Sequence, residues 1–259
     1  MTVLFVGCGW LGLPAARLVV AAGHRVVGTT TRPERFKALE AAGVEPRLLD
    51  LTGTSEAAVD GVWDACVITV PFRRNLVDPF RYVDWIQAVL AALLPETRVI
   101  LTSSTLAYAG CVGTVSESTP IDPVSDRQKA LLAAESMVLA RPGGVLLRLG
   151  GLYGADRVIG KSLAQKSHVE NANHPVNLVH QDDAARAIAA VVLRSDVQGI
   201  LNVVEDEHPT KVALYSAQIR RLGLPMPRFE DTENLCKIID NFKFKKVLGF
   251  QFQHRCMDA

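Results

Sequence analysis

The sequence predicts an α/β chain in which helices wind on both faces of a parallel sheet, with a smaller lobe toward the C-terminus. Three observations carry that expectation. Over roughly the first 150 residues short apolar runs alternate with stretches of helical period; the first run breaks at once into a glycine-spaced loop, Gly7, Gly9 and Gly12; and beyond Gly150 the alternation loosens. The expected division is a sheet domain over 1–150 and a substrate lobe over 151–259, partly interleaved with it, with ligands at the C-terminal ends of the strands.

Each element has a local reason. The apolar run before Gly7 reads as a buried strand. A helix from roughly Leu13 to Ala22 follows, and Gly23 closes it before a second strand, His24–Thr29. Glu45–Leu51 and Ala65–Val70 read as the third and fourth strands, the latter stopped by Pro71. A helix over Arg81–Leu94 ends at Pro95, and Arg98–Ser104 makes a fifth strand that runs into hydroxyl residues. Helix Gln128–Ala140 and strand Gly144–Arg148 continue the alternation. In the lobe, Tyr153–Pro175 reads as polar and loop-like, Asp182–Leu193 as helical, and Pro225–Ala259 as a basic and aromatic segment. No internal repeat interrupts this order.

The loop Gly7-Cys8-Gly9-Trp10-Leu11-Gly12 follows an apolar strand and opens a helix. In that context the first glycine permits a tight turn, the second lets backbone approach a pyrophosphate, and the third lets helix pack on strand. Trp10 and Leu11 complete the contact, and the helix directs its N-terminal N–H groups and positive dipole end at the phosphates. This is a Rossmann dinucleotide-binding unit. An acid at the end of the second strand would hold the ribose 2′-hydroxyl of NAD, but the residues there are Thr29-Thr30-Thr31-Arg32. Thr30 and Arg32, with Arg35 one helical turn on, suit a 2′-phosphate instead, so NADP is the expected cofactor and NAD the alternative. The competing reading of Arg32 is the start of a solvated helix. Cys8 reads as a small apolar filler.

Composition narrows the partners. The chain has 259 residues, 49% hydrophobic and 21% charged, with 28 basic and 27 acidic side chains interspersed for a net charge of +1. Such a balance gives no basic field for nucleic acid or an anionic membrane. No apolar run reaches membrane-spanning length, and the first strand starts at the N-terminus, which points to the cytoplasm. Five cysteines without CxxC spacing or a neighbouring histidine cluster indicate neither metal nor a disulfide framework.

Four segments together resemble the extended short-chain dehydrogenase/reductase family of epimerases and dehydratases. They are Thr102-Ser103-Ser104-Thr105-Leu106-Ala107-Tyr108, Leu147 to Gly154 with its Arg148 and Tyr153-Gly154, Val179 to Ala187, and Gly199 to Val203. The resemblance implies that Ser104 hydrogen-bonds the reacting oxygen, that Lys129 touches the nicotinamide ribose, and that Asp50 and Leu51 contact adenine, while Pro71 backbone lines the adenosine side. It also implies a homodimer through the helices flanking the fifth strand. The departure is at the catalytic Tyr-x-x-x-Lys, where the sequence reads Ser125-Asp126-Arg127-Gln128-Lys129. A serine hydroxyl is too weak an acid to replace a phenol near neutral pH. With the GxGxxG loop, this resembles the atypical branch labelled epimerase/dehydratase-like.

Tyr108 and Tyr153 are then the candidate displaced acids, each with a competing role as pocket wall. His180 reads as a structural hydrogen-bonding residue beside a helix cap at Asp182, Arg148 as a structural ion-pair residue, and Arg73 and Arg74 as solvated. The expected function is an NADP-dependent oxidoreductase or epimerase/dehydratase acting on a small hydroxyl or carbonyl substrate. The alternatives are a non-catalytic cofactor-binding module and a non-redox isomerase or cyclase using the same cleft.

Overall fold

The computed structural model describes residues 1–53, 59–154, 156–163, 166–231 and 236–258. The main sheet is built from β1 (Thr2–Val6), β2 (Arg25–Thr30), β3 (Glu45–Leu48), β4 (Ala65–Ile68) and β5 (Arg98–Ser104). Between them lie α1 (Gly12–Ala21), α2 (Phe36–Glu40) and α3 (Arg81–Ala91). A short strand β6 (Gly113–Val115) and helix α4 (Asp126–Leu139) lead into β7 (Val145–Leu149). The chain then runs through β8 (Gly151–Tyr153), α5 (Ile159–Leu163), β9 (His168–Glu170), β10 (Leu178–His180), α6 (Gln181–Val192) and β11 (Gly199–Val203). It finishes with α7 (Lys211–Arg221), β12 (Arg228–Glu230), β13 (Lys237–Ile239) and α8 (Phe242–Leu248).

Seven strands pair in the order β3-β2-β1-β4-β5-β7-β11, every neighbouring pair parallel. The winding reverses beside β1, at the crevice where doubly wound sheets hold ligands. Alternate side chains of one strand serve opposite faces. Val3 and Phe5 pack under α1 and α6, with Ala15, Ala16, Val19, Ala185 and Ile188. Leu4 and Val6 pack under α3 and α4, with Tyr82, Ile86, Leu131 and Val138. Both faces are covered, which explains why these strands are unbroken apolar runs.

The lobe is less separate than a boundary at residue 150 suggests. Strand β11 is the edge of the main sheet and α6 packs beside α1. Three two-stranded parallel pairs, β8 with β10, β9 with β12 and β6 with β13, tie distant stretches together. The stretch expected to be loop-like from Tyr153 contains α5 and β9. Two boundaries shift for local reasons. The third strand ends at Leu48, short of Leu51, because Asp50 Oδ1 accepts from Thr52 N–H at 2.9 Å and Thr52 Oγ1 at 2.7 Å and turns the chain. Helix α4 begins two residues before Gln128 because Ser125 Oγ accepts from Gln128 N–H at 3.2 Å as its N-cap. No helix among the described residues is long and apolar enough to cross a membrane.

Candidate functional site

The chain leaves β1 at Gly7, whose φ of +96° favours glycine. Its N–H donates to Thr29 Oγ1 at 2.9 Å and the Cys8 N–H to Thr29 O at 2.7 Å, so the end of β2 fixes the loop from one side. From the other, Thr69 Oγ1 donates to Gly7 O at 2.7 Å. A Cβ on Gly12 would stand 2.5 Å from Gly7 O and 2.6 Å from Thr69 Oγ1, which the close passage of loop and helix forbids. Gly9 differs. A Cβ there would meet only Gly7 O, at 3.8 Å, so the fold itself has room for a side chain that the sequence omits. Helix α1 starts behind Leu11 with no side-chain cap and no acid in its first turn, leaving its positive end open to an anion. Burial pushes the Cys8 thiol up to about 12, so it stays a neutral filler.

At the end of β2, Thr29 is spent on the glycine loop, and Thr30, almost fully buried, accepts from Arg32 N–H at 3.2 Å. The exposed Arg32 side chain makes no hydrogen bond or ion pair among the described residues. Arg35 is half-buried and close enough to Cys8 to act on its titration, which brings a guanidinium toward the glycine loop. Asp50 serves the turn after β3, with Leu51 half-buried beside it, and Pro71 is exposed just past β4.

The end of β5 and the start of α4 are organised by buried polar contacts. Arg148 pairs with Glu135, Nη2 to Oε2 at 2.6 Å and Nε to Oε1 at 3.0 Å, and Ser103 Oγ donates to Glu135 Oε1 at 2.5 Å. Gln128 Nε2 donates to Ala107 O at 2.8 Å and Ala109 O at 3.0 Å, pinning the loop that follows Ser104. Ser104 is half-buried, and its Oγ accepts from Leu106 N–H at 3.1 Å, which leaves the hydroxyl proton to donate. Tyr108 is fully buried with its hydroxyl donating to Asn202 Oδ1 at 2.8 Å, and burial raises its pKa. That geometry makes it a wall of the fold.

Lys129 lies away from the buried side of α4. At about 100° per residue, a helix that buries Leu131, Glu135 and Val138 turns Lys129 to the opposite side. There it is exposed and ion-paired with Asp126 at 3.1 Å. The side chain that faces the loop after β4 is Arg127, which donates to Arg73 O at 2.7 Å and Phe72 O at 2.8 Å and lies 4.1 Å over the Phe72 ring.

On the lobe side, Tyr153 is buried and donates to Glu205 Oε2 at 3.0 Å. Burial and the adjacent Glu205 push its phenol well up, away from the range of a working acid. Glu205 is itself buried, which raises its pKa, and its Oε1 has no partner among the described residues. His180, not Asp182, caps α6, its Nδ1 accepting from Asp182 N–H at 3.2 Å. Its ring stacks on His254 at 3.8 Å, while Asp183, buried beneath, accepts from the Gln253 and His254 N–H groups at 3.0 and 2.9 Å. Ligand atoms of His180, Asp182 and His254 lie within 4.8 Å of one another. The parallel rings do not aim their lone pairs at a common point, and the positive end of α6 opposes a cation there. The contact this cluster shows is the cap on α6.

Over 97% of its length, covering 96% of the relative, the chain is 34% identical to Protein YeeZ of Escherichia coli K12. The chain belongs to the YeeZ family. No family model matches it. Among solved structures, a conserved protein of unknown function from Silicibacter pomeroyi is 25% identical with a TM-score of 0.73, covering 98% of this chain and 94% of the other. UDP-glucuronic acid 4-epimerase from Bacillus cereus, solved with NAD, reaches a TM-score of 0.82 at 17% identity over 100% of this chain and 95% of its own. The fold of this YeeZ-family chain is that of the extended, epimerase/dehydratase-like short-chain dehydrogenase/reductases. At the start of α4 the sequence has Ser125 and Lys129 where the resemblance expects a tyrosine and a lysine. Sequence reasoning missed Arg127, Gln128 and Glu205. The only signal for Glu205 is an acid directly after the apolar run of β11, and for Arg127 the helical phase set by Glu135.

Proposed function

We propose that the protein binds NADP(H) and acts as an oxidoreductase or epimerase/dehydratase on a small hydroxyl or carbonyl substrate. Gly9 carries the cofactor half of this reading. Gly7 and Gly12 are required by the fold, whereas Gly9 keeps clear a space that no protein atom fills, directly before the open end of α1. A pyrophosphate is the group that needs both features. The Bacillus cereus epimerase of the same fold, solved with NAD, supports it.

In this reading Gly7, Gly9, Trp10, Leu11 and Gly12 receive the pyrophosphate through backbone. Thr30 and Arg32, with Arg35, receive the 2′-phosphate; Asp50 and Leu51 flank adenine, and Pro71 backbone lines the adenosine side. Hydride exchange with a substrate carbon is the chemistry that a bound nicotinamide would supply. Ser104 donates its free hydroxyl proton as a hydrogen bond to the substrate oxygen. Tyr108 and Tyr153 deliver a proton only after releasing Asn202 and Glu205, and Lys129 reaches a ribose only after leaving Asp126. Those commitments favour a second reading, a cofactor-binding protein without turnover. Five free cysteines fit the reducing cytoplasm, and α3 and α4 would carry a homodimer contact.

Calorimetric titration of NADPH and NADH tests the cofactor choice. The wild type should prefer NADPH, and Arg32→Ala should cost about 1.5–3 kcal/mol toward NADPH alone, the scale of a charge-assisted contact. Equal affinity of the wild type for both would overturn the NADP assignment. NADPH oxidation on a panel of carbonyl compounds then separates enzyme from binding module.

A further inference from the structure

Trp10 of the glycine loop is held by the lobe. After Tyr153 the chain turns, with Arg157 N–H donating to Gly154 O at 2.8 Å. Gly154 packs down on α6 so closely that a Cβ would stand 3.0 Å from Gln181 Cβ. Gln181 in turn donates through Nε2 to Trp10 O at 2.6 Å. These contacts bring the Arg157 Cζ to 4.0 Å over the Trp10 ring, on the loop between Gly9 and Gly12.

Two features of this pair are not explained by packing. The exposed Arg157 guanidinium makes no hydrogen bond or ion pair among the described residues; stacking uses its face and leaves its in-plane N–H donors unused. The Trp10 indole Nε1 is buried and has no acceptor among the described residues. A cation–π contact accounts for the stacking but not for an orphaned N–H, which is costly to leave unsatisfied. Residues 7–13 contain no cation, so α1 alone offers only partial charge to a doubly negative group. Both sets of unused donors stand on the loop or stack against it, next to the start of α1.

We propose that Arg157 and the Trp10 indole N–H bind the pyrophosphate of the dinucleotide from the lobe side, making Arg157 a cofactor-binding residue. The inference rests on the reading of the glycine loop as a dinucleotide site. Arg157 supplies a full positive charge and bidentate donors, and the loop backbone supplies the rest.

The test titrates wild type, Arg157→Ala, Arg157→Lys and Trp10→Phe with NADPH, with ADP-ribose, and with adenosine 2′,5′-bisphosphate, which lacks the pyrophosphate. Arg157→Ala should weaken NADPH and ADP-ribose about tenfold or more and leave the bisphosphate within about twofold. Lysine should recover part of the loss, since it keeps the charge without the fork. Trp10→Phe, which keeps the ring face and loses the N–H, should weaken the same two ligands by a smaller factor. Arg157→Gln replaces the alanine variant should that one misfold by circular dichroism. Undiminished binding of NADPH and ADP-ribose by folded Arg157→Ala overturns the Arg157 role and leaves the dinucleotide site standing. Parallel loss of the bisphosphate also overturns it, showing that Arg157 acts by shaping the loop. A wild type that binds neither pyrophosphate ligand removes the dinucleotide site and this inference together.

Discussion

The glycine loop and the start of α4 flank the same crevice and are built to different standards. At the loop, residue type, backbone geometry and the neighbouring helix end all meet the demands of one ligand. At α4 only the frame is kept: Glu135 and Arg148 are paired in the interior, Gln128 holds the loop after β5, and Tyr108 is bonded to Asn202. The side chains at the expected proton-transfer positions, Ser125 and Lys129, are a helix cap and an exposed ion-pair partner.

The sharpest way to break this contrast is Gly9→Val. Because the fold has room for a Cβ at Gly9, the variant should stay folded by circular dichroism while dinucleotide binding disappears. Undiminished affinity would reduce the loop to a turn. A smaller but still large effect belongs to the other region. Glu135→Ala leaves Arg148 as an interior charge without a counterion and should cost about 3–5 kcal/mol in urea unfolding. A loss within experimental error would mean that the frame of α4 lies elsewhere.

The smallest expected effect is acid sensitivity on the loop side alone. Burial and the adjoining His254 hold His180 below the ordinary histidine value of 6.5, so the folded protein keeps the ring neutral while the unfolded chain protonates. Stability from the neutral ring is complete above that pH and is lost as pH falls from it toward the folded pKa. Amide exchange at the start of α6 and over residues 253–258 should therefore rise below about pH 6.5, with α4 unchanged. Equal loosening of both regions would disconnect the effect from His180.

Much of the first βαβ unit was legible because its signals are local: an apolar strand, three glycines at fixed spacing, a helix closed by Gly23. The end of the third strand was not, since a side-chain turn at Asp50 overrode the apolar character of Leu51. The inward-facing side of α4 was illegible for a different reason. A four-residue spacing states that Ser125 and Lys129 share a side of a helix, but not which side faces inward. That phase is set by the pairing of Glu135 with Arg148, a partner on another strand. Glu205 likewise acquires its role only from Tyr153 and from the Cys256 N–H at 3.1 Å, far away in the chain.

Asp183 gives the order of these events a consequence during synthesis. This carboxylate is 1% exposed, and the N–H groups that satisfy it belong to Gln253 and His254, about seventy positions later. Before those residues are made, α6 can lie down on the emerging sheet only with Asp183 held by Arg186 Nη1 at 2.6 Å and its backbone donors missing. Full satisfaction of Asp183 therefore waits until residues 253 and 254 have folded back on α6.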